Sequence, residues 1–145
     1  MANSTFTEEE KAAMKEAAAE RRTAAKRGSG SKEAAADLAD CLEKIGAMDD
    51  NDRAIGETLH RIVTTHAPDL APKTWYGMPA YANADGKVVV FHKSAGKFKM
   101  RYAEVSFQEW ANLDDGDIWP TVFAVAAMTP AVEEQLTALV QRAVR

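Results

Sequence analysis

Three histidines, one cysteine and scattered carboxylates are the residues of this chain with the most obvious capacity for chemistry. Their spacing keeps them apart. His60 and His66 do not share a helical face, His92 lies in another segment, and Cys41 is distant from all three, so no set has metal-ligand spacing. No serine stands in a nucleophile elbow, and no glycine-rich phosphate loop follows a strand. No catalytic residue and no metal ligand is therefore assigned, and nothing in the pattern calls for an enzyme. Cys41 borders an apolar helical stripe and reads as packing. His92 extends the face of Val88 and Val90 and reads as a partly buried histidine beside a candidate pocket.

The denser signal is aromatic. Trp75-Tyr76-Gly77-Met78-Pro79-Ala80-Tyr81 gathers three rings in a chain that is 8% aromatic. Gly77 permits positive φ or a close backbone approach. Pro79 removes a donor, which restricts its segment to an edge strand, a bulge or a strand end. Backbone irregularity flanked by large rings is the composition of a pocket wall. The tryptophans all fall on segments flanking the same strands. The candidate ligand-binding residues are therefore Trp75, Tyr76, Met78, Tyr81, His92, Trp110 and Trp119, walling a pocket between sheet and helices for a small molecule or a metal.

Charge supplies a second candidate. Residues 85–102 hold Lys87, Lys93, Lys97, Lys99 and Arg101 against Asp85 alone, and residues 104–117 hold only acids. Lys97-Phe98-Lys99-Met100-Arg101-Tyr102 alternates without a break, the period of a strand with Phe98, Met100 and Tyr102 inward. Lys97, Lys99 and Arg101 would then form a cationic strand face, and with the N-terminal helix a surface for an acidic protein partner. The alternative reading of that face is a solvated one that guards the sheet against edge pairing.

The elements that position these residues follow from periodicity. Thr7 and Glu10 form a capping box, and a helix should run to about Arg27 with acids in its first turn and bases in its last. Alanine fills its middle, with Met14 the one large apolar side chain after the cap, so it is expected to be an arm, solvated or packed loosely on a partner. Gly28-Ser29-Gly30-Ser31 reads as a flexible linker. Residues 1–30 are thus an arm and linker, and residues 31–145 the domain.

Within the domain, Ser31 is the expected cap of a helix with the stripe Ala35, Leu38, Leu42 and Ile45, ending at Gly46. Asp49 to Asn51 cap a second helix burying Ile55, Leu59, Ile62, Val63 and His66. Gly56 inside it costs about 1 kcal/mol against alanine, which points to a close helix crossing. Strands are expected at residues 74–81, 88–92, 97–102 and 119–126, a short helix over Ser106–Ala111, and a last helix capped by Thr129 with the stripe Val132, Leu136, Leu139, Val140 and Ala143. The fold class is α+β: an antiparallel meander with helices on one face.

A hydrophobic content of 46% supports a real core, and a net charge of −4 argues against a nucleic-acid binder. One cysteine suits a reducing cytoplasm. No signal peptide and no membrane span are read, and the pattern fits a monomer or a homodimer equally.

The string Tyr76-Gly77-Met78-Pro79-Ala80-Tyr81, followed by a turn, a hydrophobic strand and an aromatic–basic segment, resembles the YdhG-like family of small bacterial domains. The resemblance covers about residues 33 to 144 and leaves out the arm. It implies a frataxin-like fold and, for some members, an iron-chaperone role. Such iron binding would use an acidic ridge, for which Asp37, Asp40, Glu43, Asp49, Asp50 and Asp52 are the nearest equivalents, with ferrous iron as the ligand. Lys32 and Lys44 interrupt that ridge, and aspartates at helix starts are usually caps.

Overall fold

Residues 5–27 and 30–145 are described by the computed structural model of the chain. Thr7 and Glu10 cap each other as their types require: the Glu10 N–H donates to Thr7 Oγ1 at 3.0 Å, and the Thr7 N–H donates to Glu10 Oε1 at 2.9 Å. Helix α1 (Glu8–Arg27) follows. It does not stand off as a solvated arm. Ala13 and Ala17 are buried, and Glu16 and Glu20 reach the domain, as described below. The linker reading falls partly on residues 28 and 29, outside the described residues.

Helix α2 (Ser31–Gly46) takes Gly30 as its N-cap, so Ser31 is already inside the helix. Its buried face is Cys41 and Ile45, whereas Leu38 and Leu42 of the expected stripe are exposed. The rotation has a physical source: the face of α2 that packs on the sheet and α3 is the one carrying Cys41, which meets the Tyr81 hydroxyl there. Helix α3 (Asp50–His66) starts at Asp49, whose side chain accepts the Asp52 N–H at 3.1 Å. Ile55, Leu59, Ile62 and Val63 are buried as expected, but His66 is exposed and lies 3.2 Å from Gln141. Gly56 marks a close crossing, since a Cβ there would sit 3.2 Å from Ile45 Cγ2 and 3.3 Å from His92 Nδ1.

The sheet has five antiparallel strands in chain order: β1 (Ala71–Trp75), β2 (Met78–Ala82), β3 (Val88–Lys93), β4 (Ala103–Phe107) and β5 (Val122–Val125). Three segmental expectations are corrected. Residues 74–81 are not one strand but the two arms of a hairpin, closed by Tyr76 and Gly77 between the paired Trp75 and Met78. Both turn residues have positive φ, 53° and 74°, the requirement of a type I′ turn. Pro79 fits because its missing N–H falls beyond the β3 ladder, which begins at Ala80.

Residues 97–102 are not a strand either. Ala95–Phe98 form a single helical turn, α4, because the buried Asp52 carboxylate accepts the Ala95 and Gly96 N–H groups at 3.0 and 2.9 Å. Lys99 then leaves in the left-handed region at φ 54°. The alternation of residues 97–102 is therefore coincidental. Ser106 and Phe107 belong to β4 rather than to a helix, and a turn closes with the Ala111 N–H on the Gln108 carbonyl. Helix α5 (Pro130–Ala143) starts at Thr129, whose hydroxyl accepts the Val132 N–H at 3.2 Å.

Cross-strand pairing fixes the two faces of the sheet. Tyr81 pairs with Val90, Val90 with Phe107, and His92 with Val105. These side chains turn toward α2, α3 and α5 and form the core with Ile55, Leu59, Leu136 and Val140. Ala80 pairs with Phe91, Phe91 with Ser106, and Ser106 with Val122, on the opposite face. The result is the expected α+β class, a meander with α2, α3 and α5 on one face. No helix among the described residues is long and apolar enough to cross a membrane.

Candidate functional site

The outer face of the sheet carries an open groove of about 400 Å³. Its floor is Phe91 and Met78, its wall Trp75 and Phe98, and Phe6 and Met14 overhang it from the start of α1. The Trp75 ring meets Phe91 edge-on at 5.1 Å and Tyr76 at 5.0 Å. Such contacts fix the orientation of the rings. Phe91 reaches this side because β3 alternates, and His92 beside it points into the core.

A polar clasp holds one end of the groove. At the hairpin tip the Gly77 N–H donates to Glu20 Oε1 at 2.8 Å, while Lys97 Nζ donates to Glu16 Oε1 at 2.7 Å and to the Gly77 carbonyl at 3.3 Å. Lys44 also reaches Glu16, at 3.3 Å, and Lys99 reaches Glu9 at 2.8 Å. Burial raises the Glu20 pKa, an effect the Gly77 N–H partly offsets. Burial also acts to raise Glu16, but the Lys97 hydrogen bond and charge outweigh it and leave the carboxyl below its usual range. A Cβ on Gly77 would run into the ends of the Glu16 and Lys97 side chains, which would have to swing out of the clasp to admit it.

The candidate residues separate. Trp75, Tyr76 and Met78 line the groove together. Tyr81 and His92 lie on the other side of the sheet, both fully buried. The Tyr81 hydroxyl sits 3.1 Å from His60 Nδ1 and beside Cys41. Burial pushes the Cys41 thiol up to about 11, which keeps it protonated and unreactive. Among the described residues, neither His92 ring nitrogen has a hydrogen-bond partner. Burial lowers its pKa to about 4, against the opposing pull of Asp52. Trp110 is half-exposed under the Lys87 ammonium, 5.6 Å from the ring centroid, and Trp119 packs against the core edge. The seven residues thus do not wall one pocket between sheet and helices.

The cationic set is also redistributed. Lys97 sits on α4 and Lys99 on the turn after it, and both bind acids of α1; Arg101 lies 4.9 Å over the Tyr102 ring. The helical arm and the lysines, expected to face an acidic partner together, face each other. The acidic ridge is split similarly. Asp49 and Asp52 act as caps, and Asp37, Asp40 and Glu43 border a cleft between α1 and α2 together with Lys44 and Lys73. Among the described residues no three His, Cys, Asp or Glu side chains are grouped to hold a metal ion.

Sequence reasoning missed Phe91, Phe98, Lys93 and Glu104 as groove residues. A signal for the first existed: strict alternation about the buried His92 puts Phe91 and Lys93 together on the opposite face. Phe98 carried no such signal, since its place depends on Asp52 capping α4 from 43 and 44 residues away.

The chain matches no protein-family model, no curated protein and no solved structure. The functional reading therefore stands on the groove itself.

Proposed function

We propose that the chain is a non-enzymatic binding protein for a small aromatic ligand held between the start of α1 and the outer face of the sheet. One observation carries the reading: a concave, aromatic-lined groove on a sheet face that an antiparallel meander would otherwise present to water as polar. Its volume of about 400 Å³ falls in the range of small-molecule sites, about 300–1,000 Å³. Edge-on contacts hold Trp75 against Phe91 and Tyr76, so a guest ring meets a prearranged surface. The Tyr76-Gly77-Met78-Pro79-Ala80-Tyr81 string forms the hairpin beside the groove, and in this reading its resemblance to the YdhG-like domains marks the scaffold that shapes the site.

Tryptophan fluorescence titrated with anilinonaphthalene sulfonate and then with single-ring aromatic acids and amines tests the reading. A saturable change is expected in the parent protein. Trp75→Phe should abolish it, and Trp110→Phe and Trp119→Phe should retain it. A response that survives Trp75→Phe, or no response from any ligand, would overturn the assignment.

A further inference from the structure

The groove has a polar corner that its aromatic lining does not explain. Lys93 ends β3 and stands directly across the ladder from Glu104 of β4. Both line the groove, with side chains only 25% and 19% exposed. Lys93 Nζ approaches Glu104 Oε1 no closer than 4.0 Å, beyond hydrogen-bond reach. The Lys93 ammonium instead lies over the Phe98 ring, 4.9 Å from its centroid. Neither side chain makes a hydrogen bond among the described residues. Neighbouring charges are engaged elsewhere: Glu10 accepts the Thr7 N–H, Lys97 binds Glu16, and Lys99 binds Glu9.

A lysine has three donors and a carboxylate only acceptors. Here the two sets stand side by side on the wall of the groove, largely withdrawn from water, with hydrogen-bonding capacity that no other side chain among the described residues takes up. A ligand with a single charge would complete one and leave the other with an uncompensated neighbour. A ligand carrying a carboxylate and an ammonium on one carbon would complete both and bring no net charge into the groove.

We propose that the groove takes a small aromatic zwitterion, with its ring against Trp75 and Phe91, its carboxylate on Lys93 and its ammonium on Glu104. Aromatic α-amino acids are the simplest members of this class. The inference rests on the groove being the ligand site, and deepens that reading by naming the head group that the site selects.

The test compares three probes sharing one ring: L-phenylalanine, 3-phenylpropanoate, which lacks the ammonium, and 2-phenylethylamine, which lacks the carboxylate. Trp75 fluorescence and calorimetry read the binding. L-Phenylalanine should bind about tenfold or more tighter than either analogue, the loss expected for one charge-assisted contact. Glu104→Gln should turn the preference to 3-phenylpropanoate, and Lys93→Gln should turn it to 2-phenylethylamine. The exchanged pair, Lys93→Glu with Glu104→Lys, should keep the preference for L-phenylalanine. That variant preserves the ion pair and settles the matter should a single variant unfold. Equal affinity for the three probes, with the signal still lost in Trp75→Phe, would overturn the zwitterion and leave the groove standing. Binding of none of them, with anilinonaphthalene sulfonate also silent, would remove both.

Discussion

Replacing Gly77 by alanine separates two reasons for a glycine that usually travel together. Gly77 and Gly86 have nearly equal φ, 74° and 77°, so the conformational cost of a Cβ is the same at both, about 1–2 kcal/mol. Their surroundings differ. A Cβ on Gly86 meets nothing within 4 Å, whereas one on Gly77 runs into Glu16 and Lys97. These side-chain ends can swing away, but only by giving up the clasp. The Glu16–Lys97 pair is 30% and 29% exposed and adds about 0–1 kcal/mol. The Gly77 N–H bond to the half-buried Glu20 adds about 1 kcal/mol, the lower end for a charged acceptor after solvent screening. Gly77→Ala should therefore cost about 2–4 kcal/mol and Gly86→Ala about 1–2. In a thermal melt, at about 3 °C per kcal/mol, the first should lower Tm by roughly 6–12 °C and the second by roughly 3–6 °C. In a Glu16→Ala/Glu20→Ala background the Gly77 penalty should shrink to that of Gly86. Equal penalties in the parent protein, or a Gly77 penalty unchanged in that background, would refute the clasp.

The remaining predictions concern the buried polar core and the helix crossing. His92 is held neutral by burial, with a pKa near 4 against 6.5 when exposed, so the unfolded chain takes up the proton first. Its contribution is complete above about pH 6.5, is lost as the pH falls toward 4 and then levels off, a change on the order of 3 kcal/mol. Urea denaturation across this window should show that slope, and His92→Leu should flatten it. Asp52→Ala orphans the Ala95 and Gly96 N–H groups and should cost about 2–3 kcal/mol, with faster amide exchange at both; unchanged exchange would show that α4 does not depend on that carboxylate. Gly56→Val presses on Ile45 and His92 and should cost about 1–3 kcal/mol in a denaturant midpoint, whereas an unaffected midpoint would mean that the crossing is loose.

The parts of this fold that were legible are those decided within a few residues. The Thr7–Glu10 box, the Asp49 and Thr129 caps and the Asn83–Gly86 turn all appear where local chemistry puts them. The failures share a cause, namely contacts between residues far apart in the chain. Alternation at residues 97–102 is as strand-like as any stretch of the sequence, but Asp52 of α3 winds its first half into α4. Leu42 outranks Cys41 in hydrophobicity, but the face of α2 set against the sheet and α3 carries Cys41, beside Tyr81, and leaves Leu42 exposed. Three of the seven ring and sulfur candidates, Trp75, Tyr76 and Met78, line one groove because they sit on one hairpin. Tyr81 and His92 were grouped with them by closeness in sequence, although strand parity sends them to the other face. The Tyr76–Gly77 turn was hidden by Pro79, whose restriction pointed to an irregular strand rather than to the start of a second one.

The order of strands in the sheet is the order of strands in the chain. Each strand pairs with the next one in the chain, across connections of 2 to 14 residues, so the loops that must close are far shorter than in a non-sequential sheet and the entropy lost before the first contacts form is modest. The clasp is different: Glu20 and Gly77 are 57 residues apart, and Glu16 and Lys97 are 81. Those contacts reward the chain only after the hairpin tip exists, which makes them late events. Changes at Glu16 and Glu20 should leave the refolding limb of a chevron in place and lift the unfolding limb. The helix that overhangs the groove would then set how long the native state lasts rather than how fast it is reached.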